Sequence, residues 1–251
     1  KAPVGFFAYP GKDSEFYPDG CEVHCLAEVH ADTLDALARL AEAVGALDVE
    51  PRRNSPVKPG LAAGDISPES VARAFAEYLP TDAIVVDEGA TAGAFMYPMS
   101  ETAEPHDWLS LTGGSIGYGM PAAVGAAVAC PDRKVICLEG DGAAMYTIQA
   151  LWTMAREKLD VCTIIFSNRK YQILQVELAR VGAQSMNKKT LDMMDLTNPK
   201  LDFVALAEGM GVSASAATTA DEFNQQFVQA MQTRGPHLIE VILDSDVSGF
   251  G

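Results

Sequence analysis

The chain of 251 residues is 48% hydrophobic and 21% charged, a composition typical of a globular protein with one large or two modest domains. Its formal net charge of −16 disfavours nucleic acid and anionic membrane surfaces as partners, because both are themselves negatively charged. No apolar run approaches the length of a membrane-spanning helix. Five cysteines without a zinc-ligand spacing favour reduced thiols, so we expect a cytoplasmic protein.

The first 46 residues contain too few predicted elements to form a core of their own. The apolar run Val4–Ala8 is typical of a strand, and residues 33–44 have helical periodicity between a suitable N-cap, Asp32, and a terminating glycine, Gly45. One strand and one helix cannot bury a stable core. Residues 47–64 are rich in Pro, Arg, Asn and Gly, which favours a linker.

From residue 65 onward, strand and helix patterns alternate. Helices are predicted at about residues 67–79, 89–97, 120–129, 143–158, 203–210 and 220–233, and strands at 83–87, 108–111, 134–138, 161–166, 212–214 and 238–243. No element is predicted between residues 172 and 202. The alternation predicts an α/β fold with a doubly wound parallel sheet and helices on both faces.

Two polar turns follow successive predicted strands. Gly140-Asp141-Gly142 follows the strand at 134–138, and a turn containing Asn168 follows the strand at 161–166. Parallel strands joined by one helix place their C-terminal ends side by side, so Asp141 and Asn168 should meet at the ligand-binding edge of the sheet. A carboxylate and an amide oxygen there suit a magnesium ion shared with a phosphorylated cofactor. Gly142 would let a diphosphate approach the backbone, although Gly-Asp-Gly alone is also common in ordinary turns.

Two further loops are candidates for ligand contacts. Residues 87–91 follow a strand and precede a helix, so their backbone N–H groups would be available to a phosphate; a plain helix-terminal charge is the alternative for Glu88. Residues 113–117, here called the glycine-rich loop, form a flexible backbone around one large apolar side chain, Ile116. A loop with an anchoring hydrophobic residue is the simpler interpretation of that segment.

Gly140-Asp141-Gly142, followed at this spacing by Asn168, resembles the signature of thiamine-diphosphate-dependent enzymes. In that family the Asp and the Asn bind magnesium, as does the backbone carbonyl two residues past the Asn, here that of Lys170. The family usually has two consecutive asparagines, and this chain has Ser167-Asn168, which retains the ligand. Residues 113–123, 150–153 and 235–241 resemble the acetolactate synthase and benzoylformate decarboxylase branch. The resemblance covers roughly residue 65 to the end.

The resemblance implies a thiamine-diphosphate-binding fold with cofactor contacts in four segments. Ile116 would be the apolar wedge that bends the cofactor, so that its amino group lies beside the thiazolium C2, whose proton must leave. Asp141, Asn168 and the Lys170 carbonyl would hold Mg²⁺. The implied cofactor-binding residues are Gly89, Ala90, Thr91, Gly114, Ser115, Ile116, Gly140, Asp141, Gly142, Ala143, Asn168, Lys170 and Tyr171.

The resemblance also implies that part of the machinery lies outside this chain. In the family, a glutamate on a separate pyrimidine-binding domain handles the proton of the ring nitrogen, and the site forms between two subunits. No catalytic residue is therefore expected here. Residues 1–46 resemble the last piece of a central domain, and residues 65–251 would form the diphosphate- and magnesium-binding domain. The expected assembly is a homodimer or homotetramer, and the presence of FAD stays open.

We expect a thiamine-diphosphate- and magnesium-dependent 2-oxo acid carboligase or decarboxylase that is acetolactate synthase-like. This chain would be the part that binds the cofactor diphosphate, and it would be inactive by itself. A benzoylformate-type decarboxylase is the alternative enzyme. Acetolactate synthases carry a tryptophan nine residues past the metal-binding Asn, and this chain has Glu177 there, which leaves the acceptor substrate open. A non-catalytic cofactor-binding domain is a further alternative. A plain nucleotide-binding domain is disfavoured, because no Gly-x-Gly-x-x-Gly follows the first strand.

Overall fold

The computed structural model describes residues 11, 13–52, 55, 57–183 and 187–244. The chain divides into two compact units, residues 1–54 and 55–251. The strand predicted at Val4–Ala8 lies outside the described residues. None of the helices within the described ranges is long and apolar enough to cross a lipid bilayer.

The first unit contains one helix, α1 (Thr33–Ala43), among its described residues. Asp32 caps it as predicted, because its carboxylate accepts hydrogen bonds from the backbone N–H groups of Leu34 and Asp35, each at 3.0 Å. No residue of this helix is buried. The assignment of residues 1–46 to a central domain stays a prediction.

The second unit is a parallel sheet with helices on both faces, and the predicted doubly wound α/β fold is confirmed. Its sheet contains six described strands in the order β2-β1-β3-β4-β6-β5, and every neighbouring pair is parallel. The strands are β1 (Ala83–Glu88), β2 (His106–Ser110), β3 (Val135–Gly140), β4 (Val161–Ser167), β5 (Ser213–Ala217) and β6 (His237–Ile242). The helices are α2 (Pro68–Tyr78), α3 (Ala90–Gly93), α4 (Met96–Ser100), α5 (Gly119–Ala129), α6 (Asp141–Thr147), α7 (Ala150–Arg156), α8 (Gln172–Arg180), α9 (Lys188–Met193), α10 (Phe203–Gly209) and α11 (Ala220–Gln232).

Each face of the sheet carries its own apolar core. On one face, α2 and α11 cover the sheet, and Phe227 stacks between Phe223 and Phe75 at ring-centroid distances of 5.4 and 6.2 Å. On the other face, α5, α7 and α10 pack against the opposite side chains of the same strands. Every residue of β4 is buried, as expected for a central strand of a sheet covered on both sides.

The helices differ from the sequence-based prediction in three places. The helix predicted at 89–97 is two short helices, α3 and α4, and the one predicted at 143–158 is also two, α6 and α7. Helix α6 begins at Asp141, two residues before the predicted start. Helices α8 and α9 lie in the segment for which no element is predicted. Neither contains a buried residue, although α8 carries apolar residues at helical spacing, Ile173, Leu174, Val176 and Leu178, a signal that the sequence analysis does not use.

Helix α5 approaches the sheet so closely that its first residue must be small. A Cβ on Gly119 would overlap Oε1 of Glu139 and lie 3.1 Å from the Cβ of Glu88. The backbone of Gly119 does not itself require glycine, because its φ angle is not positive. The close approach of α5 to β1 and β3 therefore depends on the missing side chain.

We expect Gly119→Ala to destabilise the protein by about 1–3 kcal/mol, the usual cost of overpacking a closely fitted core. Gly125→Ala is the matched control on the same helix, because a Cβ there meets nothing within 4 Å. That control should raise stability by up to about 1 kcal/mol through helix propensity. Chemical denaturation of both variants measures the difference, and equal midpoints would contradict the packing account.

Candidate functional site

The two predicted polar turns lie side by side at the C-terminal edge of the sheet. Strands β3 and β4 are direct neighbours, with Gly140 in register with Phe166. Asp141 is the first residue of α6, and Asn168 follows β4 directly. Both side chains are buried, at 4% and 5% exposure, so polar groups here must find partners or a ligand.

The Asp141 carboxylate connects the two turns through backbone N–H groups. Its Oδ1 accepts from Gly142 at 2.8 Å, and its Oδ2 accepts from Arg169, in the turn after β4, at 2.6 Å. Burial raises the pKa of Asp141 to about 6, although the two N–H groups favour the charged form. A carboxylate held in this way keeps lone pairs for a cation and has an electrostatic reason to bind one.

The Asn168 side chain is held at both ends of its amide. Its Oδ1 accepts from the backbone N–H of Lys170 at 3.1 Å, and its Nδ2 donates to Oε1 of Gln172 at 2.9 Å. The same Gln172 oxygen accepts from the Thr91 hydroxyl at 3.3 Å. Asn168 and Thr91, both predicted site residues, are thus brought together by a residue that the sequence analysis does not select. Only its position four residues after Asn168 could have drawn attention to it.

The Lys170 carbonyl, the third predicted metal ligand, lies in a tight turn. It accepts from the backbone N–H of Gln172 at 2.9 Å, and Tyr171 between them has φ −75° and ψ 67°, the values of an inverse γ-turn. A carbonyl oxygen has two lone pairs and can accept from more than one partner. The turn after β4 therefore presents an amide oxygen and a carbonyl oxygen two residues apart.

Gly142 is covered by an aromatic ring in this structure. A Cβ at this position would overlap the ring of Tyr171, so the glycine is required for the packing of that ring. The sequence predicts instead that Gly142 allows a diphosphate to approach, and that role stays a prediction. Ala143 follows in the first turn of α6 and is half-buried.

Residues 89–91 lie next to the Gly-Asp-Gly turn. A Cβ on Gly140 would lie 3.8 Å from both the Cβ of Ala90 and the carbonyl oxygen of Glu88, which places the ends of β1 and β3 in close proximity. Gly89 donates its N–H to the Asp87 carboxylate at 3.0 Å. Ala90 has a φ of +49°, an uncommon value for a residue with a side chain.

The Glu88 side chain holds the glycine-rich loop, a contact that the sequence analysis does not predict; the phosphate-binding role of residues 87–91 stays a prediction. The two carboxylate oxygens of Glu88 accept from the N–H groups of Gly117 and Gly119, each at 2.6 Å. Such short charge-assisted bonds are stronger than neutral ones. Glu88 is only 5% exposed, so these bonds also compensate for its burial.

The glycine-rich loop itself is shaped by glycine conformations. Gly113, Gly114 and Gly117 have φ angles of +64°, +63° and +89°, which residues with side chains rarely adopt. The Gly117 carbonyl accepts from the Thr147 hydroxyl of α6 at 3.1 Å. The loop is therefore fixed at Gly117 by both Glu88 and Thr147, while Ile116 beside it is 53% exposed. Ser115 shares this exposed tip.

A second buried carboxyl group lies beside Glu88. Glu139 pairs in register with Glu88 on the neighbouring strand and is 1% exposed. Burial, and then the negative charge of Glu88, raise the pKa of Glu139 well above its usual range. A protonated Glu139 would let the two groups share this space without full repulsion, and Gly119 fits between them.

Comparisons with known proteins agree with this geometry. Residues 89–241 match the family described as "Thiamine pyrophosphate enzyme, C-terminal TPP binding domain". The chain is 52% identical over 246 residues to a Mycobacterium tuberculosis protein named "Putative acetolactate synthase large subunit IlvX", covering 98% of this chain and 47% of that protein. It is 36% identical over 191 residues to a benzoylformate decarboxylase of Pseudomonas aeruginosa, covering 74% of this chain and 34% of that enzyme.

A solved structure shows the same relationship. The thiamine diphosphate-dependent 4-hydroxybenzoylformate decarboxylase of Rhodococcus jostii aligns with a TM-score of 0.69 and 34% identity, over 85% of this chain and 40% of that one. The chain thus spans less than half the length of each of these three relatives. The family predicted from the Gly-Asp-Gly and Asn168 turns is confirmed. The chain belongs to the thiamine pyrophosphate enzymes and carries their C-terminal TPP-binding domain.

Proposed function

We propose that this chain is the part of a 2-oxo acid carboligase or decarboxylase, acetolactate synthase-like, that binds the cofactor diphosphate and magnesium. The observation that carries this proposal is the joined pair of turns after β3 and β4. They hold a buried carboxylate and a buried amide in fixed positions, linked by the bond from the Arg169 N–H to Asp141. Membership of the family supports thiamine diphosphate with magnesium as the ligand of these turns.

The donor atoms fit Mg²⁺ better than a softer metal. Asp141 and Asn168 offer a carboxylate and an amide oxygen, and Lys170 offers a backbone carbonyl. Magnesium prefers such oxygen ligands and completes its shell with phosphate and water. Within the described ranges, no cluster of three or more His, Cys, Asp or Glu side chains could hold a metal by itself. A cation bound here would therefore depend on oxygen atoms from the cofactor.

The remaining site residues would receive the rest of the cofactor. Gly89, Ala90 and Thr91, with Gly140, Gly142, Ala143 and Tyr171, would surround the diphosphate at the sheet edge. Gly114, Ser115 and Ile116 would contact the aminopyrimidine, with Ile116 as the wedge. When bound, thiamine diphosphate supplies the carbanion chemistry that breaks or forms the bond next to a 2-oxo acid's carbonyl.

Glu88 would support this arrangement at a distance from the reacting atoms. By accepting hydrogen bonds from the N–H groups of Gly117 and Gly119, it fixes the end of the glycine-rich loop next to Ile116. A wedge must resist the force of bending the cofactor, and a loop held by two charge-assisted bonds is stiffer than a free glycine segment. Glu88 is therefore proposed as a positioning residue for Ile116.

The other half of the machinery is proposed to come from a pyrimidine-binding domain of a second subunit. The chain covers 47% of its M. tuberculosis relative, which leaves room in such a protein for further domains. That domain would supply the acid–base glutamate, and the assembly would be a cytoplasmic homodimer or homotetramer. FAD is not required by any residue of the described site.

A benzoylformate-type decarboxylase is the second candidate. Two relatives named for that reaction type are 36% and 34% identical to this chain, and relatives named as acetolactate synthase large subunits range from 27% to the 52% of the M. tuberculosis protein, so identity alone does not separate the two activities. Glu177, at the position of the acetolactate synthase tryptophan, forms an ion pair with Arg180 at 2.8 Å. Where an acetolactate synthase would have an aromatic side chain for its acceptor substrate, this chain therefore has a charged one. Comparing pyruvate with benzoylformate as substrates separates the two candidates.

We expect Asp141→Ala to weaken Mg²⁺ binding in the presence of thiamine diphosphate by at least about tenfold, since changing even an outer partner of a metal ligand costs about 10–100-fold. Isothermal titration of the full-length protein measures this affinity. Asp132→Ala, which removes an exposed carboxylate from a turn before β3, is the control. Equal Mg²⁺ affinity in wild type and Asp141→Ala would refute the metal assignment.

Mg²⁺ binding should also weaken in acid. Because the pKa of Asp141 is raised to about 6, the metal-free protein carries a proton there below that pH, and magnesium must displace it. The affinity should therefore fall by up to about tenfold per pH unit below about pH 6. Titrations of wild type and Asp141→Asn between pH 5 and 8 isolate this effect, since the variant retains only the pH dependence of the cofactor phosphates. Superimposable profiles would contradict it.

The chain alone should turn over no 2-oxo acid at a meaningful rate. A positioned proton-transfer group is typically worth about 10²–10⁴-fold, and the glutamate that would provide it is expected outside this chain. The assay follows pyruvate and benzoylformate consumption by the chain, with and without a pyrimidine-binding domain added. Robust release of carbon dioxide by the chain alone would contradict the division of labour.

A further inference from the structure

Gln172, the first residue of α8, contacts two proposed cofactor-binding residues with a single side-chain oxygen. Its Oε1 accepts from Asn168 Nδ2 at 2.9 Å and from the Thr91 hydroxyl at 3.3 Å. Asn168 follows β4, whereas Thr91 belongs to α3 after β1, so the two residues come from strands that are separated by β3. The glutamine therefore connects the metal turn with the proposed diphosphate loop.

The hydrogen bonds determine which atom of the Asn168 amide is the oxygen. The backbone N–H of Lys170 can only donate, and it lies 3.1 Å from one of the two amide atoms, which must therefore be the acceptor Oδ1. The other atom is then the NH₂ group, which needs an acceptor. Gln172 Oε1 supplies that acceptor. In the reversed amide, the NH₂ group of Asn168 would face the Lys170 N–H, and its Oδ1 would face Oε1 of Gln172.

This choice of orientation matters because only the oxygen can bind a metal. An asparagine amide has nearly the same shape in both orientations, so packing alone does not distinguish them. The observed orientation places Oδ1 against the backbone of residues 168–170, the same turn whose Arg169 N–H binds Asp141. The oxygen is thereby held at the same turn that binds the Asp141 carboxylate.

We propose that Gln172 is a positioning residue that fixes the Asn168 amide with its oxygen available to magnesium, and that it ties Thr91 to this turn. The proposal rests on the proposed function of the site. Without the Gln172 acceptor, the buried NH₂ of Asn168 would lose its partner, and the penalty for reversing the amide would fall. A fraction of the protein molecules would then have the reversed amide, with the NH₂ group of Asn168 in the position where the cation requires an oxygen.

The test uses Gln172→Met, which keeps the length and volume of the side chain but removes the strong acceptor. Mg²⁺ affinity is measured by isothermal titration of the full-length protein with saturating thiamine diphosphate. We expect the affinity to fall by about tenfold, the lower end of the effect of changing a partner of a metal ligand. Gln175→Met, one turn later on the same helix, is the matched control and should bind as wild type. Helix α8 has no buried residue, so neither variant should unfold the protein.

A double-mutant cycle with Asn168→Asp separates orientation from packing. A carboxylate presents an oxygen in either orientation, so Gln172→Met should cost little Mg²⁺ affinity in the Asn168→Asp background. Equal losses in both backgrounds would overturn the orientation argument, as would wild-type affinity in Gln172→Met alone. If wild type itself fails to bind Mg²⁺ with the cofactor, the proposed function fails, and this inference fails with it.

Discussion

The parallel pairing of β3 with β4 is the constraint on which the candidate site depends. It places the Gly-Asp-Gly turn and the Asn168 turn next to each other, and the Arg169 N–H then binds the Asp141 carboxylate at 2.6 Å. A slip of one residue in this register would turn the side chains of β4 to opposite faces and disrupt both apolar cores. The buried strands thus fix the site geometry through the same contacts that stabilise the fold.

Buried carboxyl groups concentrate at this edge of the sheet. Glu88, Glu139, Asp141 and Glu240 all lie at or near strand ends and are at most 5% exposed. Burial is the main cause of the raised pKa values of Glu139, Asp141 and Glu240. Charge buried for a ligand costs stability in its absence, and a divalent cation beside Asp141 would offset part of that cost. Binding of a cation at Asp141 would therefore also stabilise the folded protein.

The sequence predicts this fold well where side-chain burial leaves a periodic trace. Strands β3 and β4 each contain a run of apolar residues, and the Ser67 and Asp32 caps mark the starts of α2 and α1. Helix α8 was missed although its apolar residues Ile173, Leu174, Val176 and Leu178 have helical spacing, and none of its residues is buried in the structure. Helix α9 has only six residues, too few for a periodic apolar pattern to be recognised.

The candidate site likewise contains features that the sequence predicts and features that it does not. Chain connectivity alone predicts that Asp141 and Asn168 meet, because both follow neighbouring parallel strands. Contacts that depend on side-chain direction are not readable in this way. The bonds from Glu88 to Gly117 and Gly119, the Tyr171 ring over Gly142 and the Gln172 bridge all join segments far apart or of irregular backbone. These contacts could be identified only in the structure.

The central claim is that one divalent cation binds between Asp141 and Asn168, and anomalous diffraction tests it most directly. Crystals of the full-length protein would be grown with thiamine diphosphate and Mn²⁺ in place of Mg²⁺. The account predicts one manganese peak, bonded at about 2.1 Å to oxygens of Asp141, Asn168 and the Lys170 carbonyl, close to the usual magnesium distance. A manganese peak elsewhere in a complex that contains the cofactor, or a cofactor bound away from these turns, would contradict it.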